Sequence, residues 1–329
     1  MKKIVKVLSL AFACMLFLVA CKEDVKTSGD EQSIDTEVTI EEKKETYNFA
    51  YSCITMDNPF FIALETSLRT NLEAEGYTLI AKNAESNAAL QEEQILELIE
   101  QGIDAIFLSP VDWIEITPAI EKLNEAGVKI INIDTKVQAI DKVDAYVGSD
   151  NTSAGYLCGQ DLLEKIPQGG KVVIVECPNR NSINERIQGF EKAIAKKGFE
   201  VVARIDAKGN LEDALPEVEE VLKNNSDVVA IMCGNDPGAL GALIAANTVG
   251  ANDLIIYGID GSPEVKKEIA KETSQIAGTV GQSTETMGQE AAKVAIQLMN
   301  GEKVKKTTYI DTFLINKENI NEYGVDTWQ

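Results

Sequence analysis

Residues 47–74 read YNFAYSCITMDNPFFIALETSLRTNLEA. Tyr47–Ile54 is a short apolar run that predicts a strand, and Pro59–Ala74 predicts a helix with proline near its start, where a missing N–H does no harm. The polar pair Asp57-Asn58 stands between them. The same unit then repeats along the chain. Strand Tyr77–Ala81 leads to helix Ala88–Gln101, which carries Leu90, Ile95, Leu98 and Ile99 on its apolar side. Strand Ala105–Leu108, helix Trp113–Ala126 and strand Lys129–Ile133 close a first series.

A second series begins at Lys171–Glu176. Helix Asn184–Lys197, strand Glu200–Ile205, helix Leu211–Lys223, strand Val228–Met232 and helix Pro237–Val249 follow, then strands Leu254–Tyr257 and Gln275–Val280. Apolar strands joined by helical crossovers imply parallel sheets covered on both faces. Two such series of similar size predict an α/β protein of two similar doubly wound lobes. In such sheets the ligand crevice lies beyond the carboxyl ends of the strands. The polar residues there are Asp57 to Phe61, Ser109 to Trp113, Asp134, Asn179 to Arg186, Gly234 to Asp236, Asp260-Gly261 and Gln282.

Composition narrows the function. The 329 residues include 53 acidic and 31 basic side chains, a formal net charge of −22, and no histidine. So acidic a chain has no general attraction to nucleic-acid phosphates. The lack of histidine removes histidine-based nucleophile pairs, general bases and zinc sites together. Neither GxxxxGK[ST] nor GxGxxG occurs, and no cofactor, metal or catalytic residue is expected. Cys53, Cys158, Cys177 and Cys233 lie in or beside apolar runs without CxxC spacing, which suits small buried thiols. Export would permit a Cys177–Cys233 disulfide.

The first twenty residues read as a signal rather than as fold. Lys2, Lys3 and Lys6 precede the apolar run Val7–Ala20, which is short for a permanent transmembrane helix. The run ends Leu18-Val19-Ala20-Cys21 and resembles the bacterial lipoprotein signal, with lipid expected on Cys21 after cleavage. Loss of residues 1–20 leaves 28 basic and 53 acidic residues, a net of −25. Residues 21–45 are polar and acidic and predict a flexible tether to the membrane.

The strand-end segments resemble those of the periplasmic sugar-binding proteins of ABC transporters, the ribose-binding-protein group in particular. DNPFF (57–61) is similar to that family's NNPFF, and NIDTK (132–136) to its segment with an aspartate followed by arginine. NERIQGF (184–190) resembles the stretch with its sugar-binding arginine. GNDPGALGAL (234–243), YGIDGSPE (257–264) and GTVGQ (278–282) follow in the family's order. The resemblance spans about residues 47–314. It implies the type I periplasmic-binding fold, with lobes of 46–149 plus 283–311 and 150–282 plus 312–329. Three strand crossovers would form the hinge, near 149–150, 282–283 and 311–312. It further implies a monomer that gives a small sugar to a permease and its ATPase subunit. The same fold would also serve a receptor presenting a sugar or signal to a chemosensory or two-component partner.

Carried over by position, Asn58, Phe60, Phe61, Asp134, Thr135, Ser182, Arg186, Asn235, Asp260 and Gln282 are expected at the ligand. A neutral polyol needs many hydrogen bonds in a dry cleft, where carboxylates accept hydroxyl protons strongly. Arg186 offers a fixed fork of donors, and the two phenylalanines offer apolar faces to the C–H surface of a ring. Read singly, Asn58 is also a helix cap, Phe60 and Phe61 ordinary core, the two aspartates turn residues, and Arg186 a surface side chain. Trp113 suits either the cleft or the lobe surface. Three positions depart from the ribose pattern. Thr135 stands where the family has arginine, Ala207 near its second-lobe aromatic, and Ile54 near a serine. Thr135 is therefore expected to shape selectivity, and the fold to survive loss of Arg186 or Asp260.

Overall fold

The structure, a computed structural model, describes residues 46–329. Both the signal and the tether expected from the sequence lie outside these residues. The first lobe opens with β1 (Asn48–Cys53), α1 (Pro59–Ala74), β2 (Thr78–Asn83), α2 (Ala88–Glu100), β3 (Ala105–Leu108), α3 (Thr117–Glu125), β4 (Lys129–Ile133) and β5 (Ala145–Ser149). The second contains α4 (Asn151–Lys165), β6 (Gly170–Glu176), α5 (Asn181–Ile194), β7 (Phe199–Asp206), α6 (Leu211–Asn224) and β8 (Val228–Cys233). It continues with α7 (Asp236–Val249), β9 (Ile255–Asp260), α8 (Pro263–Ile269) and β10 (Ile276–Gln282). Helix α9 (Thr284–Met299) and β11 (Thr307–Ile310) return to the first lobe, and β12 (Thr312–Asn316) and α10 (Ile320–Tyr323) to the second.

The first sheet has the order β11-β5-β4-β3-β1-β2 and the second β12-β10-β9-β8-β6-β7. Each is a doubly wound α/β layer with apolar clusters on both faces. Phe49, Leu64, Phe107 and Met287 pack on one side of the first sheet, and Ile95, Ile106, Ile120 and Leu123 on the other. The chain changes sheet after β5, after β10 and between β11 and β12. Strand β12 is antiparallel to β10. Only Asp311 separates it from β11, which lies in the other sheet.

Local chemistry accounts for the helix starts. Asn58 holds extended backbone angles, accepts the Phe60 N–H on its side chain, and hands over to Pro59. Asn235 does the same for α7 through the Gly238 N–H, and Gly250 ends that helix at φ +72°. Helix α3 begins four residues later than expected, because Asp112 accepts the N–H groups of Ile114 and Glu115 and makes a turn around Trp113. Helix α5 begins three residues earlier, at Asn181. Strand β5, the two-glycine helix α4 and the returning pair α9 and β11 are additions to the sequence reading. On α2 the buried positions include Gln91, which bonds Ser52, Ser109 and Val111, while Leu90 and Ile99 are half-buried. All four body cysteines are buried and free, so Cys177 and Cys233 form no disulfide.

Candidate functional site

Strands β4 and β9 hold equivalent places in the two sheets, so Asp134 and Asp260 stand at equivalent carboxyl ends. Both have positive φ, 66° and 155°, conformations that aspartate tolerates better than most residues but that need support. Around Asp134 the Tyr146 hydroxyl donates to its carbonyl at 2.8 Å, and Asn132 ties Leu108, Thr135 and Val137 together. Around Asp260 the Gln282 Nε2 donates to Oδ1 at 2.9 Å and the Asp236 N–H to Oδ2 at 3.3 Å. Asp236 itself is spoken for, accepting from Thr279 and Ser262.

One inner chamber is walled by Asn58, Phe60, Phe61, Asp134, Ser182, Arg186, Asn235, Asp260 and Gln282, nine of the ten residues expected at the ligand, together with Ile54, Arg180 and Ile183. Phe60 and Phe61 meet edge to face at 5.3 Å. Asn58 serves as cap and wall at once. Asn235 caps α7 and also donates to the Gly209 carbonyl at 2.8 Å, leaving one amide proton and a lone pair. Among the side chains of its walls, the buried Gln282 Oε1 and Arg180 Nε have no hydrogen-bond partner in the protein.

Arg186 is not a surface residue. It is 3% exposed, donates from Nε to Asn151 at 2.8 Å and from Nη1 to the Gly234 carbonyl at 2.9 Å, and lies 3.5 Å from Asp260. Its bonds join α4, α5 and the end of β8, so its loss is expected to cost stability as well as ligand contacts. Burial pushes the Asp134 carboxyl up to about 6, with Arg186 and Arg180 pulling it down. Burial also pushes Asp260 up to about 8, Arg186 opposing and Asp236 adding to the rise.

Thr135 requires a second correction. It is fully buried and does not line the chamber. Its Oγ1 accepts the Ser182 N–H at 2.9 Å across the lobes. Helix α5 has no side-chain cap of its own, so the opposite lobe satisfies one of its orphan donors. The Trp113 backbone also serves the lobe contact, its amide N–H donating to the Asn179 carbonyl at 3.1 Å. The Lys136–Glu185 pair at 3.1 Å adds a third bridge. Ala207 is buried in the second lobe's core.

Sequence reasoning missed two side chains. Arg180 lay within the flagged stretch 179–186, but the late helix start left it looking like an ordinary loop residue. Trp328 stands next to the end of the chain with no local pattern to mark it. It packs on Phe60 at 5.9 Å and lines a larger outer chamber that adjoins the inner one. Among the described residues, no group of three or more His, Cys, Asp or Glu side chains is placed to hold a metal ion.

Two doubly wound lobes, crossed three times by the chain, with a polar and aromatic cleft between them, define the type I class of periplasmic binding proteins. The chain belongs to the periplasmic binding protein domain family, whose model matches residues 49–303. It is 31% identical over 265 residues to the ribose import binding protein of Bacillus subtilis (strain 168), covering 80% of this chain and 85% of that one. A solute-binding protein of Actinobacillus succinogenes 130z with bound D-allose superposes with a TM-score of 0.78 at 26% identity, covering 84% and 100% of the two chains. One from Bacillus halodurans C-125 with bound myo-inositol gives 0.79 at 25%, covering 86% and 98%. The family is that of sugar-binding solute-binding proteins of ABC transporters, which act outside the cytoplasm and are not enzymes.

Proposed function

We propose that this chain captures a small sugar between its lobes and delivers it to an ABC importer. One observation carries the reading. Carboxylates, an arginine fork, side-chain amides and two phenylalanine faces converge from both lobes on one buried chamber. Ribose and D-allose in the relatives' names support a pentose or hexose as the ligand class. Lobe 46–149 plus 283–311 supplies Asn58, Phe60, Phe61 and Asp134. Lobe 150–282 plus 312–329 supplies Ser182, Arg186, Asn235, Asp260 and Gln282. Ligand bridging the two stabilises the closed form, in which the Thr135, Trp113 and Lys136 contacts also form. A monomer suffices, since both walls come from one chain, and the acidic charge suits no nucleic-acid partner.

Thermal-shift screening of the purified chain against pentoses, hexoses, polyols and nucleosides, followed by calorimetry, tests the reading. Asp260→Ala leaves ligand hydroxyls unpaired, a loss of about 1–3 kcal/mol or more. Affinity should therefore fall by about fivefold to about 150-fold or more, given that 1.4 kcal/mol is tenfold. Wild-type affinity in that variant would remove Asp260 from the site, and no stabilisation by any sugar would sink the function.

The N-terminal reading belongs to the same proposal. The Leu-Val-Ala-Cys ending of the apolar run supports cleavage before Cys21 and lipid on its thiol, anchoring the protein on the outer side of the cell membrane. More than one acyl chain is needed for stable anchoring. Mass spectrometry of the native N-terminus should find a diacylated or triacylated Cys21. An unmodified Cys21, or a mature chain beginning elsewhere, would refute the anchor.

A further inference from the structure

Arg180 is the exception among the arginines of this chain. Arg69 is paired with Glu65, Arg186 with Asp260 and Arg204 with Glu176. Arg180 is only 7% exposed, yet among the described residues its side chain makes no ion pair and no hydrogen bond. Its Nε is sealed in without a partner. The terminal nitrogens Nη1 and Nη2 are the part of the fork left to reach the chambers that Arg180 walls, the inner one and an outer one of about 500 Å³. Gly209, also a wall of the outer chamber, makes room for them. Its φ is +73°, its carbonyl is held by Asn235, and an added Cβ would approach Nη1 to 2.3 Å.

The place of this side chain in the fold adds to its cost. Arg180 directly precedes the first turn of α5, with φ −116° and ψ 106° and no side-chain cap. Its carbonyl accepts the Ile183 and Asn184 N–H groups. Ser, Thr, Asp or Asn at such a position would satisfy an orphan helix donor, and the helix dipole there disfavours a cation. Burial of an unpaired charge is unfavourable as well. A residue that breaks several local rules together, at a cleft, is explained by what it does for a ligand.

The surrounding charge indicates which ligand group it meets. Asp57, Glu212, Asp213 and Glu264 join Asp134 and Asp260 on the walls of the two chambers, against Arg180, Arg186 and Lys208. That excess of acids opposes an anion. A guanidinium presents its donors as a planar fork, which suits two neighbouring oxygens. We propose that Arg180 is a specificity-determining residue of the sugar site: its terminal nitrogens donate to two adjacent hydroxyl oxygens of a neutral sugar, and the unliganded protein is less stable for carrying it. The assignment rests on the sugar-binding reading and adds one contact within it.

Two measurements on the purified chain test it together. At pH 5 Asp134 and Asp260, with values raised to about 6 and about 8, hold their protons, so a melting comparison reads Arg180 without their compensation. There the unliganded Arg180→Met variant should melt about 2 °C or more above wild type, whereas loss of a structural arginine would lower the midpoint. Calorimetry at pH 7 then compares D-ribose with 2-deoxy-D-ribose, D-glucose with its 2-deoxy and 3-deoxy forms, and D-galactose with 2-deoxy-D-galactose. In at least one pair wild type should prefer the parent sugar by about tenfold or more, since the deoxy form leaves a buried donor unpaired. Arg180→Met should bring that ratio close to one, and Arg180→Lys, charged but without the fork, should recover little of it. A lower melting temperature in Arg180→Met, no parent preference in wild type, or equal weakening of both members overturns the assignment. So does unchanged affinity for every sugar that wild type binds. In those cases the sugar site still stands, provided Asp260→Ala weakens binding. Tighter binding of D-glucuronate than of D-glucose would give Arg180 a carboxylate partner and overturn the neutral one. If wild type binds no sugar in the panel, the sugar reading and the Arg180 assignment fall together.

Discussion

Arg186→Ala should both abolish measurable sugar binding, with a loss of at least a hundredfold, and lower the melting temperature of the unliganded protein by about 10 °C. Removing one member of a buried ion pair typically costs about 3–5 kcal/mol, because the remaining charge has nowhere to go. Here the loss also frees Asn151 and the Gly234 carbonyl. For a body of this size each kcal/mol moves the midpoint by roughly 2–4 °C. The pH dependence gives the effect a signature. Asp134 and Asp260 have folded-state values raised to about 6 and about 8, so between about pH 4 and 8 the folded state holds more protons than the unfolded one. Stability contributed by these groups is present at low pH and is lost as pH rises through that window. Arg186 lowers both values, and without it the decline steepens. Scanning calorimetry should show a small gap between wild type and Arg186→Ala at pH 5 and a larger one at pH 8. A pH-independent gap, or none, would mean that Arg186 does not neutralise these carboxylates.

Gly155→Ala should be the most damaging single-methyl substitution in the second lobe. A Cβ at Gly155 on α4 would fall 1.7 Å from the Arg186 carbonyl oxygen and 2.6 Å from its carbon. The contact is backbone against backbone, so no rotamer relieves it. Reciprocally, a Cβ on Gly189 of α5 would lie 2.0 Å from the Thr152 carbonyl oxygen. The helices must separate, and α5 carries Arg180, Ser182 and Arg186 to the cleft. Overpacking usually costs about 1–3 kcal/mol, and a forced helix displacement should exceed that range. A fall of about 10 °C, with weakened sugar binding, is the expected result of melting and titration experiments. A variant as stable as wild type would show that α4 and α5 are not in backbone contact.

The two substitutions also mark how far the sequence could be read. Apolar runs alternating with helical stretches carry their own periodicity, so Ala105–Leu108, Lys129–Ile133 and Pro59–Ala74 were legible to the residue. Asp134, Asn235 and Asp260 were legible because a polar residue closing an apolar parallel strand must face the crevice. Strand β5 and helix α4 were not, because α4 buries glycines against α5 and a cysteine against β9 rather than showing an apolar stripe.

What the sequence determined by itself is the alternation, hence two parallel-sheet lobes, and the side chains at the strand ends. These depend on neighbours a few residues away. Everything decided by the approach of distant segments required the tertiary structure. Intrinsic helix propensity favours Ala over Gly by about 1 kcal/mol, so Gly155→Ala looks stabilising until the Arg186 backbone is placed against it. Thr135 looks like a pocket residue until its hydroxyl is found capping α5 from the other lobe. Arg180 and Trp328 become cleft residues only because a helix start and a chain end, 148 positions apart, are brought to one chamber. Packing and hydrogen bonding act through space, and no local periodicity encodes which segments will meet.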